Sequence, residues 1–81
     1  MGYHKREIKK GVLGYFSKIR EEFEELEDAL EQDNPVMALV ELSDMVGAIE
    51  AYTMKYHNID IDQLLNMTRA TQRAFKDGSR K

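Results

Sequence analysis

Apolar residues recur at helical spacing along most of this chain. Ile19, Phe23, Leu26 and Leu30 fall at i, i+4, i+7 and i+11 and draw one narrow apolar stripe, the core side of a first helix that Ser17 would cap. Glu22 borders that stripe, while Glu21, Glu24, Asp28 and Glu31 fall on the opposite side as a solvated acidic face. Asp33-Asn34-Pro35 reads as a turn followed by a new helix start. From Pro35 to about Tyr56, Leu39, Leu42, Met45, Val46, Ile49, Tyr52 and Tyr56 cover one broad face. Val36, Val40, Ser43, Gly47 and Ala51 cover much of the other, so this helix is predicted to be central and buried. Ser43, Gly47 and Ala51 would let a neighbouring backbone approach, at an intersubunit seam or in simple core packing. Lys55 to Asn58 reads as a loop with His57 at the surface. Asp60 and Gln63 then form a capping box for a third helix, whose core side is Ile61, Leu64, Leu65, Thr68 and Phe75 and which Gly78 ends.

Ahead of these helices, residues 1–14 carry His4, Lys5, Arg6, Lys9 and Lys10, and Gly11 and Gly14 argue against a helix there. This basic arm is either a solvated tail or a strap over an anionic ligand. The pattern as a whole predicts an all-α fold, with a single domain over 1–81. The expected form is a bundle of about three helices completed by oligomerisation.

Composition sharpens that expectation. The chain has 81 residues and no cysteine, so it buries a thin core that no disulfide can staple. A homodimer or homotetramer is the usual remedy. Net charge is −3, and the basic residues are few, which argues against nucleic acid as a partner. No apolar run reaches the ~20 residues of a membrane helix, and the N-terminus carries no signal-peptide pattern, so no membrane partner and a cytoplasmic location are expected. A dinucleotide fingerprint, a P-loop and internal repeats are all missing from the sequence.

The chemistry lies between Glu21 and Asp44. Glu22 and Glu25 are three apart before Pro35, and Glu41 and Asp44 are three apart after it, so each pair shares one helix face. Antiparallel packing would gather four carboxylates, which a cation must compensate. A structural salt bridge to Lys or Arg is the alternative, although two buried carboxylates would need two buried cations. Hard oxygen ligands without His or Cys suit Mg²⁺, Mn²⁺ or Ca²⁺; the EF-hand loop pattern is absent and neither His4 nor His57 completes a Glu-x-x-His pair, which leaves carboxylate-bound Mg²⁺. Arg69, Arg73 and Lys76, with Arg80, form a basic stripe on the third helix that could hold phosphates. Carboxylates, Mg²⁺ and such a stripe together describe phosphoanhydride hydrolysis.

Glu21-Glu22-x-x-Glu25 followed by Glu41-x-x-Asp44 resembles the EExxE…ExxD signature of the MazG-type all-α nucleoside triphosphate pyrophosphohydrolases. The segments HKREI, ELSDMVGAIEAY and NMTRATQRAFKDGSR are similar to those of small phage-encoded members, which would place the chain in a host cytoplasm. The resemblance implies Mg²⁺, with Mn²⁺ possible, held by Glu22, Glu25, Glu41 and Asp44. It implies cleavage of a nucleoside triphosphate to the monophosphate and pyrophosphate. Glu21 or Glu22 is the candidate base, and Arg69, Arg73 and Lys76 are the candidate triphosphate contacts. Tyr15 and Phe16 could wall a base pocket or belong to the core. The chain is shorter than typical members, so an active site completed by a second subunit is expected. A helical oligomer that binds Mg-nucleotide without turnover, or one that is purely structural, is the competing reading.

Overall fold

Asn34-Pro35 divides the long helical stretch in two. The Asn34 side chain accepts a hydrogen bond from the Met37 N–H at 3.1 Å, and Pro35 occupies the first helical turn, where its missing N–H costs nothing. Asp33, just before, adopts a left-handed backbone (φ 55°) that lets the chain reverse within a short turn. The computed structural model describes residues 4–79 and orders them as α1 (Phe16–Glu31), α2 (Pro35–His57) and α3 (Ile61–Asp77). Helix is the only regular structure among the described residues, as the sequence pattern predicts.

The helix ends differ in detail from the expectation. Tyr15, not Ser17, precedes α1, and it gives no side-chain cap; the Ser17 hydroxyl instead accepts from the Val12 N–H at 3.1 Å. Lys55, Tyr56 and His57 continue α2, so the expected loop begins only at Asn58, whose left-handed backbone (φ 54°) ends the helix. At α3 the expected capping box is present. Asp60 accepts from the Gln63 N–H and Gln63 accepts from the Asp60 N–H, both at 2.9 Å, and Gly78 closes the helix at φ 82°.

α1 and α2 pack against each other along their lengths, whereas α3 makes no comparable contact with either. Its start is tied down by two hydrogen bonds: the Ile61 N–H donates to Glu50 at 2.9 Å, and the Thr53 hydroxyl donates to the Ile59 carbonyl at 2.8 Å. No residue of α3 is fully buried. Of its expected core side, Ile61 and Leu64 are half-buried, while Leu65, Thr68 and Phe75 are exposed.

The largest departure concerns which faces turn inward. On α1, Phe23 is 49% and Leu30 60% exposed, while the supposedly wet Glu21 and Asp28 are 3% and 1% exposed. Among the described residues the buried apolar side chains are alanines only: Ala29, Ala38 and Ala48. α2 likewise leaves Val36, Leu39, Leu42 and Val46 open rather than enclosed. The cause lies in the N-terminal arm, which covers the acidic side of α1. His4 and the Lys5 N–H hydrogen-bond to Asp28, Arg6 reaches Glu27 and Glu31, and the Gly11 N–H donates to Glu21 at 2.9 Å. The described part of the arm therefore lies along α1 instead of trailing free as a solvated tail. Its His4 and Arg6 side chains pair with acids of the same chain, while Lys9 and Lys10 stay exposed; residues 1–3 lie outside the described residues.

Candidate metal centre

The α1–α2 pairing brings the two acidic pairs of the sequence to one place. Glu22, Glu41 and Asp44 each bring a carboxylate oxygen within 4.8 Å of the others, and so do Glu21, Glu22 and Glu25. His4, Glu25 and Glu41 form a third such group. The four expected metal ligands thus converge through overlapping groups; Glu25 and Asp44 do not share one. Ala29, 0% exposed, and Ala48, 2% exposed, occupy the helix interface as small residues that let the two helices approach.

Burial and charge set the electrostatics. Glu22 and Glu41 are 5% and 2% exposed, Glu25 is half-buried and Asp44 stands in water. Burial pushes Glu25 up to about 7, helped by a shared hydrogen bond with Glu22 and by the charges of Glu22 and Glu21. Burial also raises Glu41, and the charge of Asp44 adds to it. Glu21 goes the other way: burial would raise it, but the Gly11 N–H, Lys18 and Lys10 outweigh that and hold it below the ordinary range. Lys18 Nζ lies 3.1 Å from both Glu21 Oε1 and Glu22 Oε2.

One oxygen each of Glu22 and Glu41 is buried without a hydrogen-bond partner among the described residues. Leaving such an atom unmatched costs roughly 1–3 kcal/mol, more when it is charged. No Lys or Arg among the described residues pairs with Glu41, and the cation beside Glu22 is already shared with Glu21. A hard divalent cation fits this donor set, because it would satisfy both orphaned oxygens and offset the repulsion that raises Glu25 and Glu41.

Beside the cluster runs an open groove of about 500 Å³ bordered by Leu13, Lys18, Glu22, Ser43, Asp44 and Gly47. A Cβ at Gly47 would meet nothing within 4 Å, so the groove is open at that point. Tyr15 and Phe16 do not border it. Both are partly exposed, Tyr15 beneath the Lys55 ammonium at 4.7 Å and Phe16 beneath the Arg20 guanidinium at 5.3 Å.

The basic stripe is a different matter. Arg69, Arg73 and Lys76 are exposed on α3, and Arg69 donates to Asn66 at 3.0 Å. Since α3 does not pack on the α1–α2 pair, a single chain does not bring the stripe to the carboxylates. Arg80 lies outside the described residues. Sequence reasoning missed Lys18 and His4 as neighbours of the centre. Lys18 was findable, since it stands three and four residues before Glu21 and Glu22. His4 was not, because an arm without periodicity announces no partner. No family model matches the chain, and no curated protein or solved structure matches it either.

Proposed function

We propose that this chain is a Mg²⁺-dependent, MazG-like pyrophosphohydrolase that cleaves a nucleoside triphosphate or deoxynucleoside triphosphate to the monophosphate and pyrophosphate. The observation that carries the reading is the pair of orphaned, buried oxygens on Glu22 and Glu41, set beside Glu25 and Asp44 across two helices. Those four residues would hold Mg²⁺, or Mn²⁺ in its place. When bound, the ion supplies charge neutralisation for the polyphosphate and a more acidic water.

The chain's own groups divide the remaining work. Glu21 and Glu22 are the two candidate bases: Glu21 is held by Gly11, Lys18 and Lys10, and the unmatched oxygen of Glu22 is the one that the ion would take. The groove beside Asp44 accepts the nucleotide, with Lys18 as the cation on its border. Arg69, Arg73 and Lys76 hold phosphates of a site on a second subunit, which requires a homodimer or homotetramer.

A panel of nucleoside and deoxynucleoside triphosphates with Mg²⁺, scored for pyrophosphate against orthophosphate, tests the reading. Pyrophosphate with the matching monophosphate is expected. Orthophosphate as the sole first product would refute the reaction class. Tight Mg-nucleotide binding without turnover would leave a non-catalytic binding module, and neither binding nor turnover would leave a structural oligomer.

A further inference from the structure

We infer that His4 is a nitrogen ligand of the acidic centre, so that a divalent transition-metal ion binds there more tightly than Mg²⁺, which the carboxylates alone would hold. The inference rests on the reading of Glu22, Glu25, Glu41 and Asp44 as a metal site and adds a donor from a different part of the chain. His4 belongs to the arm, and nothing in the acidic signature calls for it.

Three observations converge on His4. The first is its support. Its Nδ1 lies 2.8 Å from Asp28 Oδ2, and the same oxygen accepts the Lys5 N–H at 2.8 Å. Asp28 is 1% exposed, and a buried carboxylate that accepts from Nδ1 fixes the ring and presents Nε2 for coordination. Arg6, bound to Glu27 and Glu31, and Gly11, bound to Glu21, fasten the arm beyond it.

The second is where Nε2 points. It lies 3.5 Å from Glu41 Oε2 on α2 and 3.8 Å from Glu25 Oε2 on α1. Direct charge-assisted hydrogen bonds would be shorter, about 2.7–2.9 Å. Donors that share one ion at ~2.0–2.2 Å stand about 3.0–3.6 Å apart, a range that includes the His4–Glu41 spacing and ends just short of the His4–Glu25 one. The third is the orphaned Oε1 of Glu41, buried with the rest of that side chain, and the matching Oε1 of Glu22. An ion bound beside His4 would match that Oε1 only by taking both oxygens of the Glu41 carboxylate, as carboxylates do around larger divalent ions.

The donor chemistry then sets the metal. Mg²⁺ prefers an all-oxygen shell, whereas imidazole suits Fe²⁺, Co²⁺ and Zn²⁺, all of which rank above Mn²⁺ in affinity. The arm becomes a clasp: it lies on α1 through its own salt bridges and delivers one nitrogen to carboxylates from both helices.

The test uses the full chain, stripped of metal by chelation. Calorimetric titrations with Co²⁺ and with Mg²⁺ are run on the parent, on His4→Ala and on Asp28→Asn. In parallel, the Mn²⁺-loaded parent is examined by electron spin-echo spectroscopy for coupling to a coordinated nitrogen. Co²⁺ is expected to bind the parent at least about ten-fold tighter than Mg²⁺. His4→Ala should weaken Co²⁺ binding by about ten-fold or more, with Asp28→Asn in the same direction, and leave Mg²⁺ binding unchanged. A nitrogen signal is expected in the parent, which needs no variant to fold, and its loss in His4→Ala. If both ions bind alike, no nitrogen is seen and His4→Ala changes neither affinity, the acidic centre stands and the role of His4 falls. If the parent binds neither ion, the centre itself falls and His4 with it.

Discussion

Asp44 and Glu41 stand one helical turn apart on α2 and live in different worlds. Glu41 is 2% exposed, and Asp44 is in water. Among the described residues Asp44 forms no ion pair, and its charge helps to hold the Glu41 carboxyl above its ordinary range. A metal site and a salt-bridged core therefore make opposite predictions at that position. Asp44→Asn removes a repulsive charge and strands no buried cation, so in chelator the variant should melt at or slightly above the parent. A buried salt bridge would instead cost about 3–5 kcal/mol on the same change, so a large loss of stability in chelator would refute the metal reading for Asp44. With excess Mg²⁺ the order reverses: the parent should gain melting temperature, the variant should gain less, and its turnover should vanish. Glu25 adds a pH dependence to the chelated parent. Its folded value of about 7 lies above the unfolded value, so the folded state binds that proton more tightly. The stability it contributes is complete below about 4.5 and is lost as pH rises towards 7. Glu41 acts in the same direction, while Glu21 and Asp28, held low, lose their contribution only as pH falls below their unfolded values. Melts in chelator between pH 5 and 8 should therefore fall with rising pH, and a flat or rising profile would show that Glu25 is not proton-bound.

At the scale of elements, the three helices and the Asp60–Gln63 cap were legible because local periodicity and capping chemistry specify them. The acidic pairs were legible too, because Glu22 with Glu25 and Glu41 with Asp44 need only helix spacing and one turn to meet. The inward face of α1 was not legible. Helical spacing fixes which residues share a face, not which face finds a cover, and the cover for Glu21 and Asp28 comes from residues 4–11, where no period exists. Gly11 is the hinge of that cover. A Cβ there would overlap the Ser17 carbonyl at the start of α1, so only glycine lets the arm lie this close while its N–H reaches Glu21. Gly11→Ala should lift the arm, cost about 1–3 kcal/mol and increase amide exchange at Lys5 and Gly11; unchanged exchange would show that the arm is held elsewhere. α3 behaves in the opposite way. Arg73 is exposed on a helix with no fully buried residue, so Arg73→Ala should shift stability by no more than about 0.5 kcal/mol while weakening nucleotide binding. A loss of helicity like that of a core variant would give Arg73 a structural role instead.

For the whole molecule, the apolar surface is in the wrong place for a solitary chain. Phe23 and Leu30 on α1 and Val36, Leu39, Leu42 and Val46 on α2 are each between 46% and 71% exposed. Burying what remains exposed would gain each of them about half to two thirds of the ~1.5–3 kcal/mol of a full transfer from water. The radius of gyration is 14.6 Å, where a compact chain of this length would measure about 12 Å, and the excess fits an α3 that lies off the α1–α2 pair. Both facts are expected of a subunit whose core is closed by copies of itself. The same closure would offer α3 a neighbour and bring Arg69, Arg73 and Lys76 towards another subunit's carboxylates. The prediction is a homodimer or homotetramer at micromolar concentration, read by sedimentation velocity as twice or four times the chain mass. Leu39→Lys with Val46→Lys supplies the control. These residues stand seven apart on one exposed stripe of α2, so the change leaves the α1–α2 interface intact while placing charge on the surface that would be shared. The double variant should sediment as a monomer and lose the sharp melt of the parent. Mg²⁺ binding by the α1–α2 carboxylates should survive in part, since those four residues come from one chain, while turnover should not. A parent that sediments as a monomer and still melts cooperatively would remove the shared site, and with it any role for the α3 stripe in holding phosphate.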